Sequence, residues 1–201
     1  MVKDSPIHAH FQKVDPVLYS LLPSRVVRLA PSNPREYFVS MCRTIIGQQL
    51  STTAADTIYA RFCALFGRRR ISPSAVLALP DETLRKVGMS YAKIRFMKDW
   101  AQRVNSGDIP LPALSAMDND GVIAVLTKTK GIGKWTAEMF LMFTLGREDV
   151  FSFGDLGLKR AIQTAYKLRR EPSLRFMEKL SRRWMPYRTY AALALWAFKD
   201  R

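Results

Sequence analysis

The residues whose types and spacing suit them best to chemistry lie between positions 126 and 160. Leu126-Thr127-Lys128-Thr129-Lys130-Gly131-Ile132-Gly133-Lys134-Trp135-Thr136-Ala137 reads as a helix, a two-glycine turn and a second helix. Glycine at both turn positions lets a partner approach the backbone closely, and Ile132 between them can pin the turn into a core. The first N–H groups of the second helix have no intrahelical partner, so with Lys128, Lys130 and Lys134 around them they suit a phosphate. Twenty-two residues after Gly133, the run Val150-Phe151-Ser152-Phe153-Gly154-Asp155-Leu156-Gly157 places a carboxylate where a further helix begins. Capping alone accounts for an Asp at such a position and is worth about 1 kcal/mol. The helix dipole there also favours negative charge, which fits an electrostatic stabiliser or a base and not a general acid. A lone Gly-x-Gly is an ordinary helix–helix turn; its pairing with Asp155 carries the information.

The elements that must position these groups read as helices throughout, with no alternating β-branched stretch bounded by hairpin turns, so an all-α fold is expected. Pro34 after Ser32-Asn33 starts a helix, with Phe38, Met41, Ile45 and Ile46 at three-and-four spacing behind it. Ser51 caps the next, which runs to a stop near Gly67. Pro80-Asp81 opens a short helix that ends at Gly88, and Ser90 caps another that runs towards Gly107. Pro110 and Pro112 predict an extended connection, and Asp118 begins the helix that leads into the hairpin. After it come helices over about 134–145, 156–166, 172–183 and 186–199. His8 and His10 have a spacing that could ligate a metal, but they fall in a terminus expected to fray and have no third ligand nearby, so no metal is assigned.

The chain of 201 residues carries 32 Lys+Arg against 17 Asp+Glu, a net charge of +15, and 48% of it is apolar. That apolar fraction excludes global disorder, and the longest apolar stretches, such as residues 191–198, are far short of the roughly 20 residues of a membrane span. A soluble protein with a polyanionic partner is expected, nucleic acid before membrane. The charge is uneven: residues 61–103 carry +7 and residues 158–201 carry +9, while residues 104–157 carry −3. Any one run, such as Arg68-Arg69-Arg70 or Arg182-Arg183, reads as a solvated face; the total calls for a partner. Cys42 and Cys63 are too few for a disulfide framework and read as reduced thiols of a cytoplasmic protein. No signal peptide is evident.

Taken together, the hairpin and Asp155 resemble the helix-hairpin-helix DNA glycosylase superfamily, whose signature is such a hairpin followed by a Gly/Pro-rich loop ending in a catalytic Asp. The resemblance extends from Ile45-Ile46-Gly47-Gln48-Gln49-Leu50-Ser51 through Val87-Gly88-Met89 to Trp184-Met185-Pro186-Tyr187-Arg188-Thr189-Tyr190-Ala191. It is greatest to the alkylbase branch, the 3-methyladenine DNA glycosylase II type. The fold this implies is a two-lobed helical core with a cleft between lobes, 33–135 against 1–32 plus 136–201, without the N-terminal β domain found in that branch. Bifunctional members carry a Schiff-base lysine two residues after the second hairpin glycine. Here that position is Trp135, and Lys134 is turned about 100° away on the helix, so a hydrolase without lyase activity is implied. Nor can two cysteines hold the iron–sulfur cluster of other branches.

Base excision breaks a C1′–N bond through a transition state with oxocarbenium character, which asks for negative charge beside the sugar and a water to trap it. The resemblance gives both tasks to Asp155. It makes Tyr91 the wedge that fills the gap left by an extruded base, with Gln48 and Gln49 either probing the opposite strand or filling that gap. Trp135 and Tyr187 become the aromatic faces for a cationic base, with Met139 and Glu138 beside the pocket. Trp100, Trp184 and Trp196 are assigned to core packing. Phosphate contacts fall to Gly131, Ile132, Gly133, Lys134, Lys130, Thr136 and Lys128. No cofactor is implied, although hairpins of this kind often hold a monovalent cation on backbone carbonyls around residues 130–133. The expected partner is double-stranded DNA with alkylated bases, bound by a monomer in a bacterial or archaeal nucleoid. Two other readings stay open: a non-catalytic DNA-binding hairpin protein, and a glycosylase for uracil or for an oxidised or mismatched base.

Overall fold

A computed structural model describes residues 5–199 and is all-α, with no strand among the described residues. Its helices are α1 (Pro6–Val14), α2 (Pro16–Leu21), α3 (Tyr37–Gly47), α4 (Thr52–Ala64), α5 (Pro73–Leu77), α6 (Asp81–Lys86), α7 (Tyr91–Ser106), α8 (Asn119–Leu126), α9 (Lys134–Phe143), α10 (Leu156–Ala165), α11 (Leu174–Arg182) and α12 (Arg188–Lys199). Most begin where a side-chain oxygen meets the third N–H of the helix. Ser51 accepts from Ala54 N, Ser90 from Lys93 N and Asp118 from Gly121 N. At the other end of α7, Gly107 takes the left-handed conformation that closes a helix (φ 85°). The helix expected at Pro34 opens with a 3-10 turn, Pro34–Glu36, and the connection expected to be extended contains a second one, Leu111–Ala113.

The residues fall into two compact units, one holding Ser32–Phe140, the other the described residues up to Pro31 together with those from Leu141 on; the second boundary lies within α9. In the unit of Ser32–Phe140, α7 packs on α3, α5 and α6. Its core contains Met41, Ile45, Ile46, Phe62, Met97 and Trp100, all fully buried. Trp100 stacks on Phe38 (centroids 6.0 Å apart) and donates Nε1–H to the Phe38 carbonyl at 3.2 Å, so the one polar atom of a buried indole is satisfied.

In the other unit, α12 packs on α10 and α2. A buried carboxylate ties this unit together. Asp15 caps α2 through Leu18 N and accepts from Tyr166 Oη at 2.6 Å and Trp184 Nε1 at 2.8 Å. Burial beside that carboxylate pushes the Tyr166 hydroxyl far above its usual range. The irregular segment before Pro31 is strapped down by Arg28, whose Nε and Nη2 reach Glu148 at 2.9 and 2.8 Å, and by Tyr190 Oη, which accepts from Leu29 N and donates to Glu148 Oε1. The terminus expected to fray is helical instead. Ser5 caps it, Pro6 starts it, and Ile7 and Phe11 are buried. His8 is buried between Ser5 Oγ and the Pro23 carbonyl (3.0 and 2.9 Å), while the His10 ring lies edge-on to Tyr187. Among the described residues no three His, Cys, Asp or Glu side chains group as metal ligands, and no helix is long and apolar enough to cross a membrane.

Candidate active site and hairpin

The hairpin is braced from three sides. Asp99 Oδ2 accepts Lys130 N–H at 2.8 Å while holding Arg103 Nε at 3.1 Å. Gln48 Nε2 donates to the Gly131 carbonyl at 2.9 Å, and Ile132 N–H closes the turn on the Thr129 carbonyl at 3.1 Å. Ile132 is buried, the anchor its position between the glycines suggests. The two glycines have separate reasons. Gly131 has φ +77°, and a Cβ on it would stand 2.2 Å from the Phe96 ring, so the fold itself demands glycine. A Cβ on Gly133 would meet nothing within 4 Å, so the space over Gly133 is open to a partner.

Around this turn the sequence-predicted residues converge. Gln48, Gln49, Gly131, Trp135 and Thr136 line one hollow of about 390 Å³ together with Ser90, Lys93 and Phe96. Trp135 is 47% exposed, an unusual state for an indole and the state a stacking platform needs. Lys128, Lys130 and Lys134 are exposed and Thr136 is buried. Tyr91, at the first position of α7, is 51% exposed; its ring lies under the Arg85 guanidinium at 5.2 Å and its hydroxyl donates to Glu82 at 3.2 Å. Gln48 serves as a brace of the hairpin, while Gln49 is exposed at φ 57°. Glu138 is buried rather than solvated, and Met139 is half-buried. Lys93 reaches the Ile46 carbonyl at 2.7 Å, and partial burial lowers its pKa.

Asp155 belongs to the other unit and is half-buried at the N-cap of α10. Its Oδ1 accepts Leu158 N–H at 2.7 Å and Trp196 Nε1–H at 3.3 Å. The second bond overturns the assignment of Trp196 to the core. Trp100 and Trp184 are fully buried, but Trp196 is half-buried and touches the carboxylate. Beyond it stands Phe143, 51% exposed, with its ring 6.3 Å from the indole. Gly157 also belongs to this site: a Cβ there would stand 2.9 Å from Asp155 Oδ1 and 3.4 Å from Lys199 Nζ. No local signal marks Trp196, which is 41 residues from Asp155 in the chain; Gly157, two residues on, was visible as a glycine in the first turn of a helix. Tyr187 is half-buried, its ring 5.3 Å from His10 and 6.1 Å from Tyr190.

The family model described as "HhH-GPD superfamily base excision DNA repair protein" matches residues 42–186, a span that takes in the hairpin and Asp155 and ends one residue before Tyr187. The chain belongs to the HhH-GPD superfamily. Among HhH-GPD relatives, DNA-3-methyladenine glycosylase 1 of Schizosaccharomyces pombe is 33% identical over 164 residues, 81% of this chain and 72% of that protein. A Bacillus subtilis protein whose DNA-3-methyladenine glycosylase name is itself provisional is 33% identical over 162 residues, 78% of this chain. The chain spans 56% of that relative's length. The solved structure of a Bacillus halodurans DNA-3-methyladenine glycosidase superposes with a TM-score of 0.83 at 36% identity, covering 98% of this chain and 90% of that one. The S. pombe enzyme in complex with abasic DNA superposes with a TM-score of 0.80 at 30% identity, covering 96% and 95%.

Proposed function

We propose that this chain is a monofunctional DNA glycosylase of base excision repair that extrudes and hydrolytically removes alkylated purines of the 3-methyladenine and 7-methylguanine type from duplex DNA. The observation that carries the reading is Asp155: a half-buried carboxylate at a helix N-terminus, held by Leu158 N–H and Trp196 Nε1–H, in an HhH-GPD chain. Two donors on one oxygen fix the position of the carboxylate, whose charge can then stabilise a developing oxocarbenium ion. An N3- or N7-alkylated purine already carries positive charge and leaves readily, so one carboxylate suffices without an acid to protonate the base. Water hydrogen-bonded to Asp155 attacks C1′ and yields its proton to that carboxylate, and the alkylated base departs as the neutral purine with the bonding electrons of the C1′–N bond.

The exposed indole of Trp135 gives the extruded cationic base an electron-rich face. It also occupies the position of the Schiff-base lysine of bifunctional relatives, so strand cleavage is not expected. Open space over Gly133 and the three exposed lysines admit a phosphate to the start of α9. Tyr91, exposed at the head of α7, fills the gap that the base leaves. A monovalent cation on the hairpin carbonyls belongs to the same reading, supported by Thr129 Oγ1, which is buried without a hydrogen-bond partner among the described residues.

The test is base release from methylated duplex DNA by the wild type and by Asp155→Asn, with free bases separated chromatographically and strand breaks scored before and after alkali. Release of 3-methyladenine or 7-methylguanine by the wild type alone, with breaks only after alkali, is the expected result. Intact DNA binding without release from any methylated substrate would refute it.

A further inference from the structure

The charge on residues 158–201 is larger than the proposed site uses, and it is concentrated on one short stretch. Lys167, Arg169, Arg170, Arg175, Lys179 and Arg182 are all exposed, and none of them makes an ion pair among the described residues. Of the two carboxylates in the stretch, Glu171 is taken by Lys159 at 3.1 Å, so Glu178 is the one acid beside the cations of α11. Arg175, Lys179 and Arg182 stand at i, i+4 and i+7, hence on one face of α11, where like charges destabilise a helix unless a counter-ion covers them. Seven residues of helix span about 10.5 Å, and phosphates on one DNA strand recur about every 3.4 Å along the axis, so the three cations match about three phosphates.

We infer that this face of α11, with Arg169 and Arg170 before it, is a second contact surface for the phosphate backbone of duplex DNA, separate from the hairpin. The inference rests on the DNA-binding reading above. A membrane surface fits less well, because Met177 and Leu180 of α11 are buried within their own unit and the exposed Leu174 and Phe176, both in its first turn, are too little apolar surface to hold a helix in a lipid interface.

The experiment is the salt dependence of binding to undamaged duplex DNA by the full chain carrying Arg175→Gln, Lys179→Gln and Arg182→Gln. Glutamine is a good helix former and these positions are exposed, so the fold is kept, as thermal melts check. Removal of three phosphate contacts lowers the slope of log K against log salt by about 2.7, and Lys179→Gln alone lowers it by about 0.9. An equal loss of charge elsewhere, Arg61→Gln, Arg68→Gln and Arg69→Gln, leaves the slope within about 0.5 of the wild type. An unchanged slope in the α11 variant, an equal fall in the control, or loss of binding only to vesicles containing anionic phospholipid would each overturn the inference. Should the wild type not bind DNA at all, the functional reading fails instead.

Discussion

Asp155→Asn separates the helix cap that Asp155 forms from the catalytic role proposed for it. Both hydrogen bonds described for the carboxylate, from Leu158 N at 2.7 Å and Trp196 Nε1 at 3.3 Å, end on the same oxygen, Oδ1. Asparagine keeps one carbonyl oxygen, caps helices as well as aspartate does, and should change folding stability by no more than a few tenths of a kcal/mol. What it removes is the charge. A unit negative charge about 4 Å from a developing cation, at an effective dielectric of about 20, is worth roughly 4 kcal/mol, which is about 10³ in rate. Asp155→Ala removes the cap as well and should cost about 1 kcal/mol of stability in addition. Single-turnover base release read beside urea denaturation distinguishes the two variants: Asn is expected to be about a thousandfold slower yet equally stable, Ala equally slow and less stable. An Asn variant within tenfold of the wild-type rate, or one as destabilised as Ala, would refute the assignment of Asp155 to electrostatic catalysis.

The two hairpin glycines should part company: Gly131→Ala, with φ +77° and Phe96 in the way, should destabilise the protein by at least 1 kcal/mol in urea melts, whereas Gly133→Ala, with open space around it, should leave the melt unchanged and weaken DNA binding several-fold. Trp196→Phe removes the donor to Asp155 without emptying the site, and base release should slow by about tenfold with DNA affinity retained; an unchanged rate would confine Trp196 to packing. Hydrogen bonding from Arg28 holds the Glu148 carboxyl below its usual value, so the stability it contributes is present above about pH 4.3 and is lost as pH falls through the depressed value. Urea midpoints of Glu148→Gln should therefore fall less steeply below pH 4.3 than those of the wild type, and parallel curves would contradict the role of that pair.

Much of the architecture is written in short-range signals. Ser51, Ser90, Asp118 and Asp155 each cap a helix by reaching an N–H three residues on, and Gly107 ends one; such signals act within a single turn and need no tertiary context. The paired glycines and the carboxylate after them are legible for the same reason. At the chain start the local signals Ser5 and Pro6 were present, but burial of Ile7, His8 and Phe11 turns them into a stable helix, and burial depends on residues distant in sequence. The same holds within the site. Gln48 reaches the Gly131 carbonyl across 83 residues and Trp196 reaches Asp155 across 41. Both glycines of Gly-x-Gly look alike as letters, yet Phe96 lies against one and nothing lies against the other. Residue types and spacing set where helices begin, where the backbone can turn tightly and where a carboxylate meets a helix dipole. Which tryptophan holds that carboxylate, and which glycine leaves room for a phosphate, follow from side chains brought together only when the helices pack.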